Sequence, residues 1–287
     1  MRSLVAQHLR LLSWNVTNLV PWFAHGDAFA AHLATLGSAD IVCLQEICVR
    51  PQDGDNILAA RALLPGYTCA VSLANDARNV RFRGGRAYGV ATYVRDSLET
   101  IDSVPAWDRE GRIVVTAIPA LHLAVINIYA VNGTDKPYLH PDTGAAMGDR
   151  HEHKRRFQDR VIALATELRS VSDVIIAGDW NVSQTALDVT PRLRTSAPHA
   201  TARAQLATHL QQGGWTDAFR ALHPDERKYS WFGRTRTGAL DAARVDFIVV
   251  DTEMMTRVTS AEILDARAAR PKTDHAPLAL ELEPRRH

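Results

Sequence analysis

The stretch Asp173–Ser183, DVIIAGDWNVS, decides how this chain is read. Val174, Ile175, Ile176 and Ala177 form a continuous apolar run of the length of a strand buried on both faces, and Gly178 then frees the backbone just before an acid and an amide. Asp179 and Asn181 are thereby presented at the end of a rigid strand, where their side chains can converge on one point and orient a water. A strand followed by Gly-Asp is also a common turn, so the stretch gains its meaning from other strand ends of the same form.

Leu9–Trp14 is a second apolar run, and it stops at Asn15. After it, Phe29, Leu33 and Leu36 fall at helical spacing ahead of Gly37, which predicts a helix returning along the sheet. Ile41–Leu44 is the next buried run and ends in Gln45-Glu46. A short helix is expected from Asn56 to Leu64, and residues 72–86 read as a long Arg-rich surface loop. Strands are expected at Gly89–Val94, Ile113–Ile118 and Leu123–Tyr129, the last two paired antiparallel. Gly133–Gly148 reads as irregular; Phe157, Val161, Leu164 and Leu168 then mark one face of a long helix ending near Ser170. Residues 184–200 are expected as loop, Ala202–Leu210 and Thr216–Leu222 as helix, and Val245–Val250, Met255–Leu264 and Ala276–Glu281 as strands.

The composition is that of an ordinary globular chain: 287 residues, 46% hydrophobic and 23% charged, too apolar for a disordered one. No apolar run reaches membrane-spanning length and the start lacks the pattern of a signal peptide, so a cytoplasmic protein without membrane attachment is expected. Cys43, Cys48 and Cys69 are odd in number and lack paired spacing, which supports neither disulfides nor structural zinc. A net charge of +1 excludes a polycation. The charge is nonetheless uneven. Arg78, Arg81, Arg83 and Arg86 gather in one segment and Arg150, Lys154, Arg155 and Arg156 in another, where they would suit phosphate contacts or simple solvation. No linker rich in Gly, Ser or Pro divides the chain, which predicts one domain over residues 1–287. The two halves share a plan of strands, a helix lying across and strands ending in polar residues, which suits an α+β fold, a four-layer αββα sandwich of two packed, mainly antiparallel sheets flanked by helices.

The polar strand ends, in order, are Asn15 in SWNVTNL, Glu46 in CLQEI, Tyr129 and Asn132 in INIYAVNG, Asp179 and Asn181 in AGDWNV, Asp246 in ARVDFIV, and Asp274-His275 in KTDHAPL. This set resembles the endonuclease/exonuclease/phosphatase superfamily, and within it the exonuclease III and AP endonuclease branch. The stretches WDREGRIV and WTDAFRALHPDERKYSWF extend the likeness through nearly the whole chain.

The resemblance implies Mg²⁺-dependent hydrolysis of DNA phosphodiesters, with Mn²⁺ as a substitute, by a DNA-repair endonuclease or 3′ exonuclease acting as a monomer on damaged duplex DNA. Glu46 would be the principal metal ligand, joined by Asp274, because Mg²⁺ prefers carboxylate oxygens. Asp179 would activate the attacking water, with Asn181 and Asn15 fixing its position. His275 would hydrogen-bond the scissile phosphate while Asp246 orients its imidazole. Tyr129 would donate to a phosphate oxygen or assist the leaving group, and Asn132, Trp231 and Arg244 would contact substrate.

Three departures stand out. Ala243 replaces an aromatic wall of the branch's abasic-sugar pocket, Thr17 replaces an acid or amide, and the long loop carries His140, His151 and His153, which would be solvated or hold metal. They leave two other readings open, a phosphodiesterase or phosphatase of the same fold acting on RNA, a small phosphorylated molecule or a lipid head group, and a nucleic-acid binder without catalysis. Retention of metal-ligand and water-activating groups together speaks against the last.

Overall fold

The buried apolar runs become the inner strands of two six-stranded sheets in the computed structural model, which describes residues 8–80, 88–264 and 273–285. In chain order the strands are β1 (Leu9–Asn15), β2 (Ile41–Gln45), β3 (Tyr67–Ser72), β4 (Val90–Arg95), β5 (Ile101–Ser103), β6 (Ile113–Ile118), β7 (Leu123–Tyr129), β8 (Pro137–Leu139) and β9 (Ala146–Asp149). They continue with β10 (Asp173–Asp179), β11 (Val189–Thr190), β12 (Trp215–Asp217), β13 (Trp231–Arg234), β14 (Leu240–Ala243), β15 (Asp246–Asp251), β16 (Val258–Ile263) and β17 (Leu278–Leu282). The helices are α1 (Gly26–Thr35), α2 (Gly54–Arg61), α3 (Arg150–Arg169), α4 (Ala197–Gly213) and α5 (Ala218–Leu222).

One sheet runs β16-β17-β1-β2-β4-β3 and the other β12-β15-β10-β7-β6-β5. Each is antiparallel apart from one central parallel pair, β1 with β2 and β7 with β10. This topology explains why the polar strand ends meet. Parallel strands finish at the same edge of a sheet, so Asn15, Glu46, Tyr129 and Asp179 emerge together. Antiparallel neighbours begin where these finish, which brings Asp246, at the start of β15, opposite Asp179, while Asp179 also lies opposite Tyr129.

Three apolar clusters separate four layers. Leu11, Ile41 and Cys43 of one sheet meet Val125, Ile175 and Ile248 of the other between the sheets. Phe157 and Val161 of α3 and Leu206 of α4 cover Ile126, Ile176 and Phe247 on one outer face, and Phe29 and Leu33 of α1 cover Leu12, Trp14 and Leu44 on the other. The αββα sandwich expected from the sequence is the observed fold. Truncating Phe157, which is 3% exposed, to Ala would cost about 3–5 kcal/mol in lost burial and cavity formation.

Several boundaries move for local reasons. The segment 184–200 is not all loop: β11 pairs with β14, and α4 starts at Ala197 because Pro198 in its first turn gives up no needed hydrogen bond. Residues 137–149 form a small hairpin, β8 with β9, inside the segment read as irregular. The helix expected from Thr216 begins at Ala218, capped by Asp217, whose side chain accepts from Arg220 N, and Trp215–Asp217 is an edge strand. A 3₁₀ turn at Met254–Arg257 precedes β16.

Candidate active site

Gly178 turns the chain at the mouth. Its φ is 145°, and a Cβ there would lie 1.9 Å from the Ile128 carbonyl oxygen, so only glycine lets β10 lie this close to β7 and still deliver Asp179. Glu46, directly past β2, and Asn181, two residues past β10, have φ of 53°, and Thr17 has 57°. Non-glycine residues in this left-handed region are strained, and strain of this kind gathers where side chains are aimed for function.

Asn15 is buried at the floor and joins the two sheets. Its Nδ2 donates to Glu46 Oε1 at 2.9 Å and to Asp179 Oδ2 at 3.1 Å, while its Oδ1 accepts from Thr17 N at 2.9 Å. Asp179 Oδ1 accepts from Asn181 N at 2.8 Å, and the Asn181 amide is anchored on the Ala130 carbonyl at 2.9 Å. Burial, and next the facing Asp246, push the Asp179 carboxyl up to about 7. Burial raises Glu46 too, against the pull of Asn15.

His275 Nδ1 sits 2.8 Å from Asp246 Oδ2, both side chains buried. Burial alone would lower the imidazole, but the Asp246 carboxylate outweighs it and carries His275 to about 10, so the ring is a cation at neutral pH. Its backbone is clamped as well. Trp14 Nε1 donates to the His275 carbonyl at 3.1 Å, and Ala276 N donates to the Ser230 carbonyl at 2.6 Å. Ser230 Oγ in turn accepts from Asp246 N at 3.0 Å, a positioning residue that has no sequence signal of its own.

Glu46, Asp179 and His275 each offer a ligand atom within 4.8 Å of the others. Half-buried Glu46 and buried Asp179, both raised by burial, are a donor set that a divalent cation fits, since hard carboxylate oxygens sit together. Asp274 stands at the rim, its Oδ2 accepting from Trp231 Nε1 at 2.7 Å and its Oδ1 from Thr17 Oγ1 at 3.1 Å. Tyr129 is buried under the mouth with Arg112 4.9 Å from its ring centre, and burial holds its hydroxyl well above the ordinary range, so it keeps its proton. Asn132 is exposed on the cleft wall.

Arg244 is a correction. It is 1% exposed and points away from the mouth, with Nε 2.6 Å from Asp188 and Nη1 2.6 Å from Asp217, so it ties the 184–190 segment to α5 rather than touching substrate. Trp231, Ala243 and Val245 do line the cleft, together with Val189 and Leu193 of the segment read as loop.

The three loop histidines do not converge. His140 Nδ1 accepts from backbone within the hairpin, His151 packs against His199, and His153 stacks on Tyr138 with Nε2 2.5 Å from Glu110. The second basic cluster also splits. Arg150 pairs with Glu110, Arg156 donates to the Met147 carbonyl, and Lys154 alone turns inward, buried, with Nζ 2.5 Å from the Asn181 carbonyl oxygen. Of the first cluster, Arg78 holds the carbonyls of Pro141 and Asp142, and Arg81, Arg83 and Arg86 lie outside the described residues.

The sequence profile of the endonuclease/exonuclease/phosphatase family matches residues 12–275. An exodeoxyribonuclease of Bacillus subtilis (strain 168) is 26% identical over 281 residues, covering 95% of this chain and 98% of that protein. The catalytic domain of Xenopus laevis APE2 superposes with a TM-score of 0.70 at 22% identity, over 96% of this chain and 92% of that one. The 3′ phosphatase NExo from Neisseria, solved bound to a product DNA hairpin, gives 0.69 at 20% identity over 96% and 99%. The structural likenesses speak for the fold, while the profile runs from β1 through to the clamped histidine, and on that span the chain belongs to the endonuclease/exonuclease/phosphatase family.

Proposed function

We infer that this protein is a Mg²⁺-dependent DNA phosphodiesterase of the abasic-site endonuclease and 3′ exonuclease type, working in DNA repair. The observation that carries the reading is the meeting of Glu46, Asp179 and His275 donors within 4.8 Å at the ends of strands from both sheets. The Bacillus relative is named an exodeoxyribonuclease, and the Neisseria structure holds DNA, which favours DNA as the substrate class.

Glu46 would hold the cation, with Asp274 at the rim. The metal, when bound, supplies positive charge to the phosphoryl oxygens. The chain's own groups do the rest. A carboxylate near pH 7 is matched to taking a proton from water at neutral pH, and Asp179 is held there with one oxygen fixed by Asn181 N and the other by Asn15. His275, locked by Asp246 through Nδ1, leaves Nε2 to donate to a phosphoryl oxygen that gains charge in the transition state. Tyr129 keeps its proton and can donate to a phosphate oxygen, while Asn132 would contact the neighbouring backbone.

The test is gel analysis of end-labelled duplexes, with and without an abasic site, in Mg²⁺ and then in EDTA. Cleavage in Mg²⁺ that stops in EDTA supports the reading. Inertness toward both duplexes, with hydrolysis of a small phosphate ester or RNA, would transfer the same chemistry to another substrate class.

A further inference from the structure

The cleft does not end at the reacting centre. Past Asn181 it continues into a recess between the turn carrying Arg192 and Arg194 and the start of α4, where His199 and Arg203 line it and Lys154 forms the border with the centre. Cleft and recess together hold about 360 Å³.

The charge in this recess is unlike that of the buried arginines. Arg112 is paired with Glu110 at 2.8 Å, Arg220 with Asp188 at 2.7 Å, and Arg244 with two acids at 2.6 Å. Among the described residues no carboxylate forms an ion pair with Arg192, Arg194, Arg203 or Lys154, although Asp241 also faces the recess. Arg203 Nη2 instead donates to the Arg194 carbonyl at 3.1 Å, which fixes the turn against the helix. The crowding is felt by the neighbours. Burial first, and then Arg194, Lys154, His151 and Arg203, lower His199, and burial brings Lys154 down to about 8.

Asp179 offsets part of the charge on Lys154, but cations gathered on one wall without ion-pair partners repel one another, and a bound anion relieves that cost. A phosphodiester carries a single charge, whereas a terminal phosphate monoester carries about −1.5 to −2 at neutral pH with three acceptor oxygens. Guanidinium groups meet such an oxygen face with paired donors, so the recess favours the monoester.

From this unpaired cluster beside the reacting centre we propose that the recess is a second phosphate subsite that takes a terminal 5′-phosphate of DNA, so that the protein acts on 3′ ends at nicks and gaps. The proposal rests on the reading of the centre as a DNA phosphodiesterase. A gap offers both groups in one ligand, a 3′ end for Asp179 and His275 and a 5′-phosphate for Arg192, Arg194 and Arg203.

The experiment compares binding of two duplexes with a one-nucleotide gap, identical except for a 5′-phosphate or a 5′-hydroxyl at the gap, in EDTA so that neither is cleaved. Wild type should bind the phosphorylated gap at least about tenfold more tightly, as expected for new charge-assisted hydrogen bonds. Arg194→Gln with Arg203→Gln should erase the preference, and the paired Lys substitutions should retain part of it. Arg192→Gln, on the exposed turn, should weaken the preference by itself. Equal affinities in wild type, or a preference that survives the Gln pair, would overturn the subsite. Failure of wild type to cleave either duplex in Mg²⁺ would instead overturn the phosphodiesterase reading, whatever the binding ratio.

Discussion

The Asn15 side-chain amide donates to Asp179 Oδ2 at 3.1 Å, across the junction of the two sheets. The same amide nitrogen reaches Glu46 Oε1 at 2.9 Å, so one buried group sets the distance between an acid of each sheet. The cleft is therefore a property of how the sheets pack, and its residues answer for different parts of the chemistry.

Glu46→Gln keeps the shape and removes the charge that would hold a cation. Turnover at low Mg²⁺ should fall by about a hundredfold or more and recover in part at high Mg²⁺ or in Mn²⁺, read from initial rates against metal concentration. A variant with wild-type metal dependence would refute this role.

Asp246→Asn removes the charge that raises His275 to about 10. The imidazole should then titrate much closer to neutrality, followed by NMR of the metal-free protein. Because the cationic ring is the donor, the rate deficit should widen as pH rises, reaching about 10²-fold to 10⁴-fold. A deficit that is constant with pH would separate Asp246 from the charge on His275.

Glu110 is a buried hub, with Arg112 Nη2 at 2.8 Å, Arg150 Nη2 at 3.2 Å and His153 Nε2 at 2.5 Å. Burial alone would raise its carboxyl, but Arg112 and His153 hold it well below the ordinary range. A depressed carboxyl gives stability that is present above its unfolded value and lost as pH falls through the folded one. Glu110→Gln should cost about 3–5 kcal/mol in urea unfolding at pH 7, and the gap to wild type should narrow toward pH 3. A gap of the same size at both pH values would contradict the linkage.

Arg244→Gln separates fold from binding. The substitution leaves Asp217 buried without its ion-pair partner and Asp188 with Arg220 alone, which should lower stability by about 3–5 kcal/mol. DNA affinity of the molecules that remain folded should stay within a few-fold of wild type. A large loss of affinity at unchanged melting temperature would return Arg244 to the substrate.

The sequence made the mouth legible because strands covered on both faces are written as unbroken apolar runs. Val174–Ala177 and Ile41–Leu44 could hardly be read otherwise, and the polar residue ending each run marked the cleft. Lys154 was read with a loop cluster that would grip phosphates or be solvated, and Arg244 as a substrate contact that the resemblance implied. Only tertiary contacts reveal that Lys154 is 3% exposed beside Asn181 and that Arg244 is held by two acids from distant segments. Asn127 passed unnoticed within an apolar run and Gln45 was read only as a polar strand end, although Gln45 Nε2 donates to Asn127 Oδ1 at 2.8 Å between the sheets. Strands β11, β13 and β14 are only two to four residues long, and their pairing comes from long-range register rather than local pattern.

The central claim is that Asp179 handles the water and not the grip on DNA, and Asp179→Asn tests it when cleavage and binding of one labelled abasic duplex are measured side by side. The substitution relieves the facing Asp246, so the melting temperature should hold or rise. Turnover in Mg²⁺ should drop by about 10³-fold or more while the Kd in EDTA stays within a few-fold of wild type. Residual turnover near wild type, or a Kd that weakens in proportion to the rate, would contradict the account.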